Sequence, residues 1–194
     1  MVALVGVGSH GRDIMAIGQA CGVEFELYDD DPDRGKPTRG VPRSEPYILG
    51  MNHPTERGQY AARFTVARLR PALALVHPSA VVGPSCRLAP GVVVAPNVTM
   101  LREVILNEHV HVNYQSSMTR CTVGAFTTIS PGVTICGDVK IGAECFIGAG
   151  AVISNLVTIG NGVTVGAGAV VLDDVPDGEL VVGVPARAKA GICS

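Results

Sequence analysis

The sequence predicts an α/β Rossmann-like half domain followed by a left-handed parallel β-helix of hexapeptide repeats. Three observations carry that prediction. A strand, a glycine-rich turn, a helix and an acid-ended strand follow one another within residues 1–31. A six-residue period of Val and Ile then runs through the second half. No helical period competes with it there, and the absence of Trp with only 4% aromatic residues suits a narrow aliphatic interior.

Bulk properties narrow the classes of function. At 194 residues the chain suits one large or two small domains with a real core. A net charge of -2 gives no electrostatic basis for binding nucleic acid or an anionic membrane. With 47% hydrophobic and 16% charged residues, the chain has more apolar surface than a small monomer hides, so an oligomer is expected. No apolar run reaches the roughly 18 residues that span a bilayer, and Met1 leads into a strand-like segment rather than a signal sequence, which predicts a cytoplasmic protein. Cys21, Cys86, Cys121, Cys136, Cys145 and Cys193 form no C-x-x-C pair; they read as reduced, mostly buried thiols, and no metal is expected.

Residues 1–70 form the first unit. A buried strand over 2–7 runs into Gly6-Val7-Gly8-Ser9-His10-Gly11 and a helix from Arg12 to about Cys21. Glycines there let backbone approach a phosphate at a helix N-terminus, although the same turn would serve merely to pack helix on strand. A second strand, Glu24–Tyr28, ends in Asp29-Asp30-Asp31, where a carboxylate can accept hydrogen bonds from a ribose or base. A third strand over Pro46–Leu49 leads through the segment 50–57 into a helix ending near Leu69. That is half a dinucleotide fold, so it suits one nucleotide and not NAD.

Residues 71–194 form the second unit. Val123, Ile129, Ile135, Ile141, Ile147, Ile153, Ile159, Val165 and Val171 stand six apart, although Val and Ile make up only 40 of 194 residues. Chance would produce that run on the order of once in a million. One six-residue unit makes a short strand and a corner, and three units close a triangular coil in which the aliphatic residue points inward and stacks on its equivalent about 4.8 Å away. The next position is small or turn-friendly (Gly124, Ser130, Cys136, Gly142, Gly148, Ser154, Gly160, Gly166), as a corner of unusual φ/ψ requires. Upstream, the same phase passes through Ser117, His111 and Ile105 and places His111 in an inward slot. Val82, Leu88 and Val94 keep the period in another phase, so a one-residue slip is expected between Met100 and Val104.

With the motifs Gly6–Gly11, Asp29-Asp30, the segment 50–57, His77-Pro-Ser-Ala-Val-Val-Gly83, the hexapeptides and Val182-Gly-Val-Pro185-Ala186, nearly the whole chain resembles the bacterial sugar O- and N-acyltransferases. These are typified by N-acetyltransferases of nucleotide-linked 4-amino sugars and by sialic acid O-acetyltransferases. The resemblance implies a homotrimer with active sites between neighbouring prisms, acetyl-CoA along the coils and the sugar nucleotide on the N-terminal module. It implies CoA contacts at Thr128, Ser130, Gly137, Gly148 and Gly166, and substrate contacts at Gly8, Ser9, His10, Asp29, Asp30 and Asn113.

One departure bears on mechanism. The positions of the family's base histidine and its acidic neighbour read Thr119-Arg120, and a second family histidine falls at Thr128. Candidate catalytic residues are therefore His111, His109 and Thr119. In a strand, His109 and His111 would share a face; each also reads as a hydrogen-bonded histidine at a disturbed coil or trimer contact. Stacking by 18 residues sets Thr119 over Gly137 and Arg120 over Asp138, where a surface salt bridge accounts for the arginine. Three outcomes stay open: acyl transfer without a base, a recruited histidine, or a catalytically silent binder of sugar nucleotide or CoA. A hexapeptide acyltransferase with a different amine acceptor is a further alternative.

Overall fold

A computed structural model of the chain describes residues 1–189, so Cys193 lies outside the described residues. The N-terminal unit is a parallel sheet in the order β2-β1-β3-β4, with β1 over Val2–Val5, β2 over Phe25–Tyr28, β3 over Pro46–Leu49 and β4 over Arg70–Pro71. Helix α1 (Ser9–Ala20) starts earlier than expected, inside the glycine-rich segment directly after Gly8, and α2 spans Pro54–Val66. Alternation along the strands sorts the sheet's two faces. Leu4 and Ile48 pack with Ile14 and Ile17 of α1, and Ala3, Val5, Tyr47 and Leu49 pack with Ala61 and Phe64 of α2. The β4 pairing was not legible in the sequence, because its two residues carry no period.

From Leu75 onward the chain winds as a parallel solenoid with three sheets as its faces. One face, running from Leu75–Val76 through Val93–Val94, His111–Val112, Thr128–Ile129, Phe146–Ile147 and Thr164–Val165, carries the N-terminal unit and is called the docked face here. The inward residues stack in register as expected. On the docked face the rungs are Val94, Val112, Ile129, Ile147 and Val165, and all are buried. The two units share a core, since Leu75, Val93 and Ala95 pack in one cluster with Leu4, Ile14 and Ile17.

Three expectations need correction. The slip does not lie between Met100 and Val104. Inward residues Val82, Leu88, Val94, Met100, Leu106, Val112 and Met118 keep one phase, and the change comes between Met118 and Val123. There the coil shortens: Val94 pairs with Val112, 18 residues on, but Val112 pairs with Ile129, only 17 on. His111 consequently points outward from the prism, against the N-terminal unit, while its neighbour Val112 takes the inward slot.

The third correction concerns the corners. Positive φ falls two positions beyond the small residue, at Phe126, Gly132, Asp138, Glu144 and Gly150, so side chains occupy that conformation there as well. Glycine at 124, 142 and 148 answers a different constraint: a Cβ there would overlap backbone of the next coil.

Because the rungs carry the stability of a stacked array, Ile147→Ala is expected to cost about 2–5 kcal/mol. The outward, exposed Thr164→Ala on the same face is expected to stay within about 0.5 kcal/mol. Chemical denaturation of the two variants checks the contrast.

Candidate active site

The glycine turn, the end of β2 and the start of α2 enclose a cavity of about 350 Å³. It brings together Gly8, Ser9, His10, Asp29 and Asp30, as the motif order implied. Close packing builds its floor, since a Cβ at Gly11 or Gly50 would overlap the Gly6 carbonyl. Asp29 holds the turn by accepting from the backbone N–H of Val7 (2.6 Å) and of Asp31 (2.9 Å). Asp30 accepts from the Thr38 hydroxyl (2.6 Å) and the Tyr60 hydroxyl (2.7 Å). Those hydrogen bonds, the Thr38 one foremost, hold its carboxyl below the usual range. Both carboxylates thus shape the cavity while keeping free acceptor capacity.

A second, largely apolar cavity of about 210 Å³ lies between α1 and the docked face, lined by His10, His77, His111, Asn113 and Tyr114 together with Ile17, Val93 and Ala95. His10 lines both cavities. Its Nε2 lies 2.9 Å from Nδ1 of His111, across 101 residues of sequence.

Arg57 governs this junction. Fully buried on α2, it donates from Nε to the His109 carbonyl (2.9 Å), from Nη1 to the carbonyls of Met51 (2.8 Å) and Asn52 (3.1 Å), and from Nη2 to the Phe126 carbonyl and the Thr128 hydroxyl (3.0 Å). All these acceptors are uncharged. Burial, with no carboxylate partner among the described residues, pulls its pKa down to about 9, which leaves it protonated at neutral pH. The sequence offered a signal here: Pro54, Arg57, Ala61 and Phe64 form the buried stripe of α2, and an arginine on such a stripe needs partners.

The three histidines are neutral for the same reason. Burial first, and the Arg57 charge second, push His10 and His109 down to about 4, with Asp13 partly opposing the shift at His10. His111 falls well below its ordinary value through burial, then Arg57, His10 and His109. His109 does not share a strand face with His111. It occupies a left-handed corner (φ 56°), its ring stacked between Tyr47 (5.7 Å) and Phe126 (5.4 Å), and lines neither cavity.

The other candidates fall into two groups. Asn113, Ser130, Gly148 and Gly166 form one column along the edge of the docked face, each backbone N–H bonded to the next coil. Thr128 is buried beneath the N-terminal unit, its hydroxyl donating to the Asn52 carbonyl (2.7 Å) while accepting from Arg57. Thr119 and Gly137 lie on a different edge, at the corner where the coil loses a residue. Arg120 fills the space above Gly137 and pairs with Asp138 at 3.1 and 2.7 Å, as the stacking argument expected. Within the chain, Thr119 and the His10–His111 pair are therefore separate features.

A family described as bacterial transferase hexapeptide (six repeats) matches residues 120–155. No curated protein matches the chain by sequence. Among solved structures, PerB from Caulobacter crescentus in complex with CoA and GDP-perosamine is similar at 30% identity and TM-score 0.88, covering 97% of each chain. The acetyltransferase domain of PglB from Neisseria gonorrhoeae is similar at 29% identity and TM-score 0.89, covering 97% of this chain and 98% of its own, and its complex with acetyl coenzyme A is also known. WeeI from Acinetobacter baumannii, at 22% identity and TM-score 0.78, covers 97% of this chain and 99% of its own and shares the fold.

Two outcomes are expected. Arg57→Lys lowers the unfolding midpoint nearly as far as Arg57→Met, because three donors on one nitrogen cannot span the guanidinium's acceptors. Stability also falls as pH drops from about 6.5 toward 4: unfolded histidines take up protons that the folded rings refuse, so acid favours the unfolded chain. Thermal scans at pH 7, 6 and 5 read the second effect.

Proposed function

The chain belongs to the hexapeptide-repeat sugar acyltransferases, and on that premise we propose that it moves an acetyl group from acetyl-CoA to the amine of a nucleotide-linked amino sugar, a sugar hydroxyl being the second acceptor type. What carries the proposal is the meeting of a polar, phosphate-compatible cavity and an apolar one at His10, on a fold matched along 97% of its length by a protein holding CoA and GDP-perosamine. Residues 1–70 act as the Rossmann-like nucleotide unit, and residues 71–194 as a left-handed β-helix that transfers the acyl group. Three chains associate through their prisms in the cytoplasm. Exposed Leu101, Leu156 and Leu172, at 59%, 70% and 53%, supply apolar surface for that contact.

In this arrangement the sugar nucleotide meets Gly8, Ser9, His10, Asp29, Asp30 and Asn113. The pantetheine arm runs along Ser130, Gly148 and Gly166, with Thr128 backing the groove and Gly137 and Thr119 supplied from a neighbouring prism's edge. An amine flanked by electron-withdrawing groups titrates nearer 8 than 10, so part of it is already a nucleophile. It attacks the thioester carbonyl directly, and backbone N–H groups at the coil corners stabilise the oxyanion. A general base contributes about 10²- to 10⁴-fold, and histidines near pKa 4 are poorly matched to that role at neutral pH. Positioning offers more than that factor, through effective molarities of about 10⁵–10⁸ M. No acyl-enzyme is invoked, because burial raises the thiols of Cys145 and Cys121, the latter to about 12.

CoA release with a panel of nucleotide-linked 4-amino sugars tests this. The rate is expected to rise with pH toward a plateau near 8, following the acceptor amine, with no inflection from a histidine between pH 5.5 and 7. The particle mass is expected at three times the 20.0 kDa chain. Thr119-Arg120, standing where the family has its base and acid, favours a second reading, a catalytically silent binder; tight binding of CoA and nucleotide without turnover would establish it. An N-terminal unit that binds no nucleotide would point instead to another amine acceptor.

A further inference from the structure

We propose that His111 is a positioning residue that fixes His10 as a neutral hydrogen-bond donor, with its Nδ1–H presented at the junction of the two cavities to an oxygen of the sugar nucleotide. This rests on the acyl-transfer reading for the identity of the ligand, but the state of the histidine pair rests on its geometry and burial and not on that reading.

The contact between His10 Nε2 and His111 Nδ1 at 2.9 Å admits two tautomer pairs. If His10 donates, His111 carries its proton on Nε2, which is buried without any hydrogen-bond partner among the described residues. If His111 donates, that buried Nε2 is a bare lone pair. An orphaned buried N–H is the rarer and costlier state, so the second pair is selected. His10 then keeps its proton on Nδ1. That nitrogen has no protein partner among the described residues, and His10 itself lines both cavities.

The surroundings keep the pair uncharged. Asp13 on α1, Arg57 on α2, and His77, His109 and Tyr114 from the solenoid side surround it, and Asp29, Asp30, Arg34, Glu56 and Tyr60 line the polar cavity with His10; burial and Arg57 outweigh Asp13 at His10. A neutral imidazole held this way is a directional donor rather than a proton acceptor. Its place in the first turn of α1, beside the backbone of Gly8 and Ser9, suits a ligand oxygen that carries negative charge.

Nitrogen-15 spectra of histidine-labelled, full-length protein test the pair without any ligand. The expected result is an Nδ1–H tautomer for His10, unchanged from pH 6 to 8, that reverts toward the usual Nε2–H mixture in His111→Phe. An Nε2–H tautomer for His10 in the wild-type protein would overturn the proposal. Equilibrium binding of GDP-perosamine supplies the second arm. His10→Asn, whose amide N–H₂ lies near the Nδ1 position, is expected to bind about tenfold more tightly than His10→Gln, whose amide reaches the Nε2 position; equal binding by the two would also overturn it. Failure of acyl transfer with every acceptor, alongside the expected spectra, would sink the enzymatic reading and leave the pair intact.

Discussion

One buried guanidinium joins the two halves of this protein. Arg57 reaches from α2 to loop carbonyls of its own unit and to the carbonyls of His109 and Phe126 on the solenoid, and no carboxylate among the described residues meets it. An arginine partnered by carbonyls keeps its positive charge where a salt bridge would cancel it, and that field acts on every titratable ring nearby. The same side chain therefore ties the two units together and, second to burial, helps keep His10, His109 and His111 uncharged.

The shortened coil is the other constraint on function. Removing one residue between Met118 and Cys121 leaves the inward rungs unbroken, because Met118 still stacks on Ile135 and Cys121 on Val139. The whole change falls on the corner, where two residues, Thr119 and Arg120, stand over the three from Cys136 to Asp138 on the next coil. Arg120 is drawn to Asp138 on the next coil, so that edge is organised by a surface ion pair. The two cavities of the N-terminal unit meet away from that edge, at His10, which lines both.

Legibility differed by element, for reasons visible in particular residues. The nine-fold run from Val123 to Val171 set the prism unambiguously, since each rung obeys the same local demand for an aliphatic residue. Upstream, the identical demand is met by Leu106, Val112 and Met118 in a shifted phase, and following the wrong phase through Ile105, His111 and Ser117 turned an outward histidine inward. The glycine turn and the acids after β2 were readable because strand, turn and helix succeed one another within one short segment.

By itself, the sequence determined the stacked coil, the order of the two units and the glycine-rich turn after β1, because each is a pattern repeated or completed over a few neighbouring residues. Only the tertiary structure decided which histidines meet, and in what charge state. His10 and His111 lie 101 residues apart, and Arg57 recognises backbone carbonyls, groups that every residue carries. A carbonyl acceptor imposes no residue type on its partner, so the buried stripe of α2 marks Arg57 as needing partners but most of those partners leave no mark in the order of amino acids.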